Sequence, residues 1–369
     1  MDYLLLAVGL LLLIVGADGL VKGASRLAAS FGVPTLVIGL TVVAFGTSAP
    51  ELAVSVRSAF SDQTEMAIAN VVGSNIFNVL FILGLSALIA PLVISKQLIR
   101  QDVPIMVGAS LLIYVFAMDG VISRLDAAVL VVILVAYTAF LFIQGKRVEA
   151  MAKKNPALSA ETVDDEVAEL ISGNHPTWQS ALWVLLGLSF LLVGAKLLVG
   201  SAVNIARAFE VSEAIIGLTI IAIGTSLPEV VTSIVATLKG QRDIAVGNVV
   251  GSNTFNILAV LGVSGIVSGQ GLVGNEQLVQ QDFPIMLGVA LLCLPLFFTG
   301  AILSRIEGAL FFSLYLIYTI FLIGIATQST WLSAFNGLFF YGVLPVTLFV
   351  VVGSLWKDMA NRKRLSSLK

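Results

Sequence analysis

Apolar runs of about twenty residues recur along the chain, separated by short polar clusters, and about twenty is the number a helix needs to cross the hydrocarbon core of a bilayer. They predict spans near 4–28, 34–58, 66–90, 103–118 and 126–144, then 178–206, 213–238, 244–268, 283–299 and 306–325, with a last one near 333–355. The pattern therefore reads as five, five and one. It divides the chain into a first five-helix unit, 1–144, a charged linker, 145–177, a second five-helix unit, 178–327, and an extra transmembrane helix with a basic tail, 328–369.

The two units repeat one another. Gly46-Thr47-Ser48-Ala49-Pro50-Glu51 and Asn70-Val71-Val72-Gly73-Ser74-Asn75-Ile76-Phe77-Asn78 return as Gly224-Thr225-Ser226-Leu227-Pro228-Glu229 and Asn248-Val249-Val250-Gly251-Ser252-Asn253-Thr254-Phe255-Asn256. The offset is constant, since 229 − 51 and 256 − 78 both give 178. Val15-Gly16-Ala17-Asp18 likewise aligns with Val193-Gly194-Ala195-Lys196, and Gln101-Asp102-Val103-Pro104 with Gln281-Asp282-Phe283-Pro284. Five is an odd number of crossings, so the second unit enters the membrane from the opposite side: the repeats are inverted. The fold class is an all-α polytopic membrane protein with a ten-helix core and an eleventh helix.

Composition agrees, with 58% hydrophobic and 11% charged residues, and excludes a soluble globular protein. Net charge is only −2, so placement of the charges is the informative part. With the amino terminus outside, the outer side keeps only Arg57, Arg124, Lys196 and Arg207 of the twenty Lys and Arg. The positive-inside rule then places the carboxyl terminus in the cytoplasm, in a multi-pass protein of the cell (inner) membrane. Met1-Asp2-Tyr3 lacks the basic segment of a signal peptide, so the first run is expected to be retained as a span. One cysteine, Cys293, and one histidine, His175, leave no disulfide, thiolate cluster or Ser–His or Cys–His pair. The acids of 145–177 are adjacent rather than spaced like a calcium loop, so the stretch reads as a tether rather than a cation sensor.

The repeated stretches carry the chemistry. A charged side chain at the bilayer centre costs at least about 2.5–3.5 kcal/mol, yet Glu51 and Glu229 have no Lys or Arg on adjacent turns. Pro50 and Pro228 deprive the Gly46 and Gly224 carbonyls of helical partners and bend the helix. Thr47, Ser48, Thr225 and Ser226 sit one turn before the acids, so hydroxyl, carbonyl and carboxylate oxygens converge. Asn70, Ser74 and Asn78, and Asn248, Ser252 and Asn256, form polar stripes at i, i+4, i+8. All these ligands are hard oxygens, suited to Ca²⁺ or Na⁺. Two carboxylates facing each other across a pseudo-two-fold axis balance one divalent or two monovalent cations, which predicts competition between Ca²⁺ and Na⁺ or H⁺. Gly73, Gly251, Asn75 and Asn253 read as helix-packing residues, with the asparagines as interhelical hydrogen-bond donors and acceptors.

These paired motifs resemble the alpha-repeats of the calcium/cation antiporter superfamily, in particular its sodium/calcium-exchanger-like bacterial members, over residues 1 to about 325. The resemblance implies that Glu51 and Glu229 hold Ca²⁺ with the carbonyls of Thr47 and Thr225. It implies flanking Na⁺ sites from the Ala44 carbonyl, Ser48 and Ser74, and from the Ala222 carbonyl, Ser226 and Ser252, with Asn78 and Asn256 completing the middle. It also implies alternating access, with the first and sixth spans sliding across a rigid core, and no cofactor beyond the transported ions. Many relatives carry Asp at one of the positions held here by Asn78 and Asn256, so this site has one carboxylate fewer.

The function expected is secondary active Na⁺/Ca²⁺ antiport, the alternative being Ca²⁺/H⁺ exchange, with K⁺ a further candidate ion. An intramembrane hydrolase and a passive channel fit less well, because the acids sit in symmetric ligand clusters on broken helices. Asp18 and Lys196, at equivalent places in the two sliding spans, are expected either to pair or to face water separately. Asp102, Asp282, Asp126 and Glu307 are expected to cap helix starts.

Overall fold

The structure, a computed structural model, describes residues 1–31, 33–154, 176–210, 216, 220, 222–329, 331–332 and 339–366. The first repeat comprises α1 (Asp2–Phe31), α2 (Thr35–Thr47), α3 (Ala49–Phe60), α4 (Thr64–Ile89), α5 (Leu98–Ala117) and α6 (Arg124–Lys154). The second comprises α7 (Thr177–Ala208), a helical turn Ala222–Gly224, α8 (Leu227–Leu238), α9 (Arg242–Val267), α10 (Leu278–Phe298) and α11 (Arg305–Ala326), and α12 (Leu344–Ser366) follows. Eight of the described helices are long and apolar enough to cross a membrane, and the bent pair α2–α3 makes a ninth. The expected spans 213–238 and 333–355 begin among residues outside those described and continue as the apolar segments Leu227–Leu238 and Tyr341–Trp356. α6 continues past 144 to Lys154, so the charged linker starts as helix, and its residues 155–175 lie outside the described residues.

Helix α1 lies antiparallel to its own repeat-mate α7. Residue i of α1 faces residue 203 − i of α7, and glycines seven apart line the contact: Gly9 meets Gly194, Gly16 meets Gly187, and Gly23 meets Ser180 and Val184. A Cβ on Gly187 would stand 2.6 Å from the backbone nitrogen of Leu20, and one on Gly194 2.8 Å from the Gly9 carbonyl oxygen. Small residues thus bring the two backbones together, as membrane helices require when lipid is as apolar as leucine. Equivalent helices running in opposite directions are the direct sign of inversion.

This register corrects one expectation. With an offset of 178 between equivalents, matching residues of α1 and α7 meet only near Leu12–Leu13 and Phe190–Leu191. Lys196 is therefore level with residue 7, about 16 Å along the axis from Asp18 at 1.5 Å per residue. Asp18 pairs instead with Lys22, one turn on at 2.8 Å, and with Lys239 at the end of α8.

Two small features were absent from the all-α expectation. Strand β1 (Leu92–Val93) pairs with β4 (Ile302–Leu303), and β2 (Val121–Ile122) with β3 (Leu272–Val273), both antiparallel. Each pair joins one repeat to the other, and because α5 separates β1 from β2 the pairs clasp opposite ends of the bundle. Between them lies a buried apolar cluster, with Ile76, Ile82, Ile257, Phe283 and Phe311 all closed to solvent.

The acids at helix starts behave in two ways. Ser123 and Ser304 are the caps, and Asp126 and Glu307 complete capping boxes by accepting the serine backbone N–H at 2.9 and 2.7 Å. Asp102 and Asp282 do not cap. Their backbones are helical, at φ −75° and −73°, inside helices that run unbroken through π-helical turns at Leu98–Asp102 and Leu278–Asp282. The widened turns carry the helix through Pro104 and Pro284, which cannot donate to the carbonyls four residues back. The carboxylates instead accept from Tyr137 and Tyr318, each at 3.3 Å, tying α5 to α6 and α10 to α11.

Gly187→Ala should destabilise the protein by about 1–3 kcal/mol, since the added methyl meets backbone rather than a movable side chain. Gly200→Ala, at a helical position with no described atom within 4 Å, should instead be neutral or stabilising by up to about 1 kcal/mol. Thermal unfolding of the two variants in detergent separates these outcomes.

Candidate functional site

The bend in the first motif falls at Ser48. Its φ of −80° and ψ of 6° end α2, and α3 leaves at 45° with Pro50 in its first turn. Pro50 therefore opens a new helix rather than sitting within one, which spares its missing N–H and relieves the ring from the Gly46 carbonyl. Ser226 repeats this at φ −90° and ψ 8°, with Pro228 in the first turn of α8. On the neighbouring helices, Asn78 and Asn256 each begin a π-helical segment, Asn78–Leu83 and Asn256–Leu261. Such turns occur mostly as single-turn bulges within α-helices, and frequently at functional sites.

These breaks bring the two motifs together crosswise. Ser226 Oγ donates to Glu51 Oε1 at 2.8 Å, and Ser48 Oγ donates to Glu229 Oε1 at 3.1 Å. Ser226 Oγ also lies 3.2 Å from Ser74 Oγ, and Thr47 Oγ1 3.5 Å from Ser252 Oγ. Thr47 donates to Asn248 Oδ1 at 3.0 Å, and Thr225 to Asn70 Oδ1 at 3.5 Å. Asn78 Nδ2 donates to Asn253 Oδ1 at 3.0 Å, and Asn256 Nδ2 to Asn75 Oδ1 at 3.1 Å. Glu51, Glu229, Ser48, Ser226, Thr47, Ser252, Asn78 and Asn256 are wholly closed to solvent, Ser74 is buried and Thr225 half-buried. The Ala44 carbonyl accepts the Ser48 N–H at 3.0 Å, and Ala222 opens the helical turn that leads to Thr225.

Four oxygens in this centre have no hydrogen-bond partner among the described residues: Oε2 of Glu51, Oε2 of Glu229, Oδ1 of Asn78 and Oδ1 of Asn256. They are equivalent in pairs under the repeat. A buried acceptor without a donor costs about 1–3 kcal/mol, and more where it is charged. Among the described residues no group of three or more His, Cys, Asp or Glu gathers, so two carboxylates and neutral oxygens make up the set.

The expected glutamates and serines are enclosed between the repeats, but the serines group crosswise rather than as the resemblance implied: Ser74 on α4 meets Ser226 instead of Ser48, and Ser252 on α9 lies beside Thr47 instead of Ser226, because the inverted repeats each face the other's motif. Other residues serve the site without having been singled out. Ser55 and Ser233 accept from Asn70 and Asn248 at 2.9 and 3.0 Å, and each stands four residues after a glutamate at the repeat offset, the signal that could have found them. Gly251 does admit close approach, with a Cβ 2.8 Å from Leu40 Cα; Gly73 meets no described atom within 4 Å, and Leu218, the equivalent of Leu40, lies outside the described residues.

A family model described as sodium/calcium exchanger protein matches residues 1–143 and 179–324. The chain is 38% identical over 294 residues to the inner membrane protein YrbG of Escherichia coli (strain K12), a match covering 78% of this chain and 87% of that protein. It is 33% identical over 347 residues to the sodium/calcium exchanger MaX1 of Methanosarcina acetivorans, covering 87% of this chain and 98% of the relative. Among solved structures, that of the sodium-calcium exchanger NCX_Mj superposes with a TM-score of 0.72 at 31% identity, over 86% of this chain and 97% of that one.

Ser226→Ala removes the hydroxyl that serves Glu51 and should cost about 1.5–3 kcal/mol, the worth of a hydrogen bond to a charged group. Ser264→Ala removes a buried hydroxyl that has no partner among the described residues and should be neutral or stabilising. Unfolding of both in detergent, compared with wild type, checks the contrast.

Proposed function

We propose, because the chain belongs to the sodium/calcium exchanger protein family, that it is a secondary active antiporter exchanging Ca²⁺ for Na⁺, with Glu51 and Glu229 binding the transported ion. The observation that carries the reading is the symmetric set of four buried oxygens without donors. Bound cations would supply the partners that these oxygens lack. Ca²⁺ takes six to eight oxygens, and the threonine, serine and backbone oxygens of the same enclosed region are available to complete its shell. Two glutamate charges balance one Ca²⁺ or two Na⁺, so the two ions would compete for one site, and competition is what couples their opposed movements.

The cation passes through the site in turn from each side, with the α1–α7 pair moving across the core formed by the remaining helices. The amino terminus lies outside and the carboxyl terminus in the cytoplasm, in keeping with the excess of Lys and Arg on the inner segments. Coupling to protons is the second reading. Protonation of Glu51 and Glu229 would remove the buried negative charge that a metal ion would otherwise balance, and would make each Oε2 a donor.

Uptake of ⁴⁵Ca²⁺ into proteoliposomes distinguishes these readings. Uptake is expected to require internal Na⁺ and to fall to background in Glu51→Gln and in Glu229→Gln. A proton gradient that drives uptake without Na⁺ would favour the second reading, and wild-type rates in both variants would overturn the site.

A further inference from the structure

Asn78 and Asn256 can serve a cation only by their oxygen. An amide presents an acceptor oxygen on one edge and a donor nitrogen on the other, in almost the same shape, so a half-turn about the last bond would aim N–H groups at the ion. Something must choose the edge. We propose that Asn75 and Asn253 make that choice, as positioning residues that orient the amides of Asn256 and Asn78; this rests on the reading of the centre as a cation site.

The orientation follows from backbone groups, whose roles are unambiguous. Asn75 Nδ2 donates at 3.2 Å to the backbone carbonyl of Asn253, which can only accept, so the oxygen of Asn75 must turn the other way. There it meets Asn256 at 3.1 Å, and it can be satisfied only by the Asn256 nitrogen. Asn256 therefore keeps its Oδ1 buried and free of donors, available to an ion. The mirror chain runs from the Asn75 backbone carbonyl to Asn253 Nδ2 at 3.1 Å, and from Asn253 Oδ1 to Asn78 Nδ2 at 3.0 Å, leaving Asn78 Oδ1 without a donor.

The four amides form a closed set in which each repeat orients the amide of the other. Asn75 and Asn253 are only 2% and 3% exposed, so water does not compete for their edges. Neither has an orphaned oxygen of its own. A serine would be too short to span both bonds, and a leucine would fill the space without reading either edge. Packing glue alone would require bonds across the interface, but not the sorting that leaves two equivalent oxygens without donors.

The test is a double-mutant cycle read by equilibrium ⁴⁵Ca²⁺ binding to the purified full-length protein. Asn253→Leu should weaken Ca²⁺ binding about 10–100-fold, the usual loss when a group orienting a metal ligand is removed. In the Asn78→Asp background the same change should cost less than about twofold, because a carboxylate offers oxygen whichever way it turns. Equal losses in the two backgrounds would overturn the proposal and leave Asn253 a packing residue. Asn253→Ala, which removes the same acceptor without filling the interface, stands in where the leucine variant does not assemble. Glu51→Gln in the same assay guards the premise: undiminished Ca²⁺ binding there would overturn the cation site, and the orientation proposal with it.

Discussion

Each repeat holds the other's carboxylate. Glu51 takes its serine donor from the second repeat and Glu229 takes its serine donor from the first, and both acids are sealed from solvent. Buried charges are tolerable only when paired or hydrogen-bonded, so this exchange of donors forces the two halves into close contact at the centre of the bundle. Much of the rest serves that contact. The helix breaks at Ser48 and Ser226 aim the hydroxyls across the interface, and the asparagines close the space beside them. The two short strand pairs keep the ends in register.

Inversion shapes the consequences. Two antiparallel helices related by a two-fold axis bring equivalent residues together only where the axis crosses them. For α1 and α7 that is near Leu12 and Leu191, which is why Asp18 and Lys196 part company although they align in sequence. The motif glutamates belong to elements that meet close to the axis, so alignment there does translate into proximity. Equivalence in sequence is thus a statement about contact only at one level of the membrane.

The sequence made legible whatever repeats or has a period. The offset of 178, the polar stripes at four-residue spacing and the glutamates without local partners led to the two halves and their inversion, but not to the crossed pairing that sets Ser74 beside Ser226 and Ser252 beside Thr47. What stayed hidden depended on partners far along the chain. Asp102 followed by Val-Pro has the look of a helix start, and only Tyr137, thirty-five residues on in an apolar run, reveals that the carboxylate ties two helices together. Pro104 and Pro284 stand just after the π-helical turns at Leu98–Asp102 and Leu278–Asp282, whereas the π-helical segments Asn78–Leu83 and Asn256–Leu261 contain no proline and carry no local mark. The strand pairs are two residues long, too short for any alternation to register.

The serine that serves Glu51 lies 175 residues downstream of it. At the ~5–20 residues per second of protein synthesis, Glu51 has been made roughly nine to thirty-five seconds before that donor exists. During this interval α1 also lacks the helix that its glycine face fits, and Glu51 must find water or some other passing partner. The nascent first half is consequently an unfinished object, with a carboxylate short of its donor and a glycine face short of its partner helix. Its completion is an event of biogenesis, timed by the arrival of the second half rather than by anything the first half can do alone.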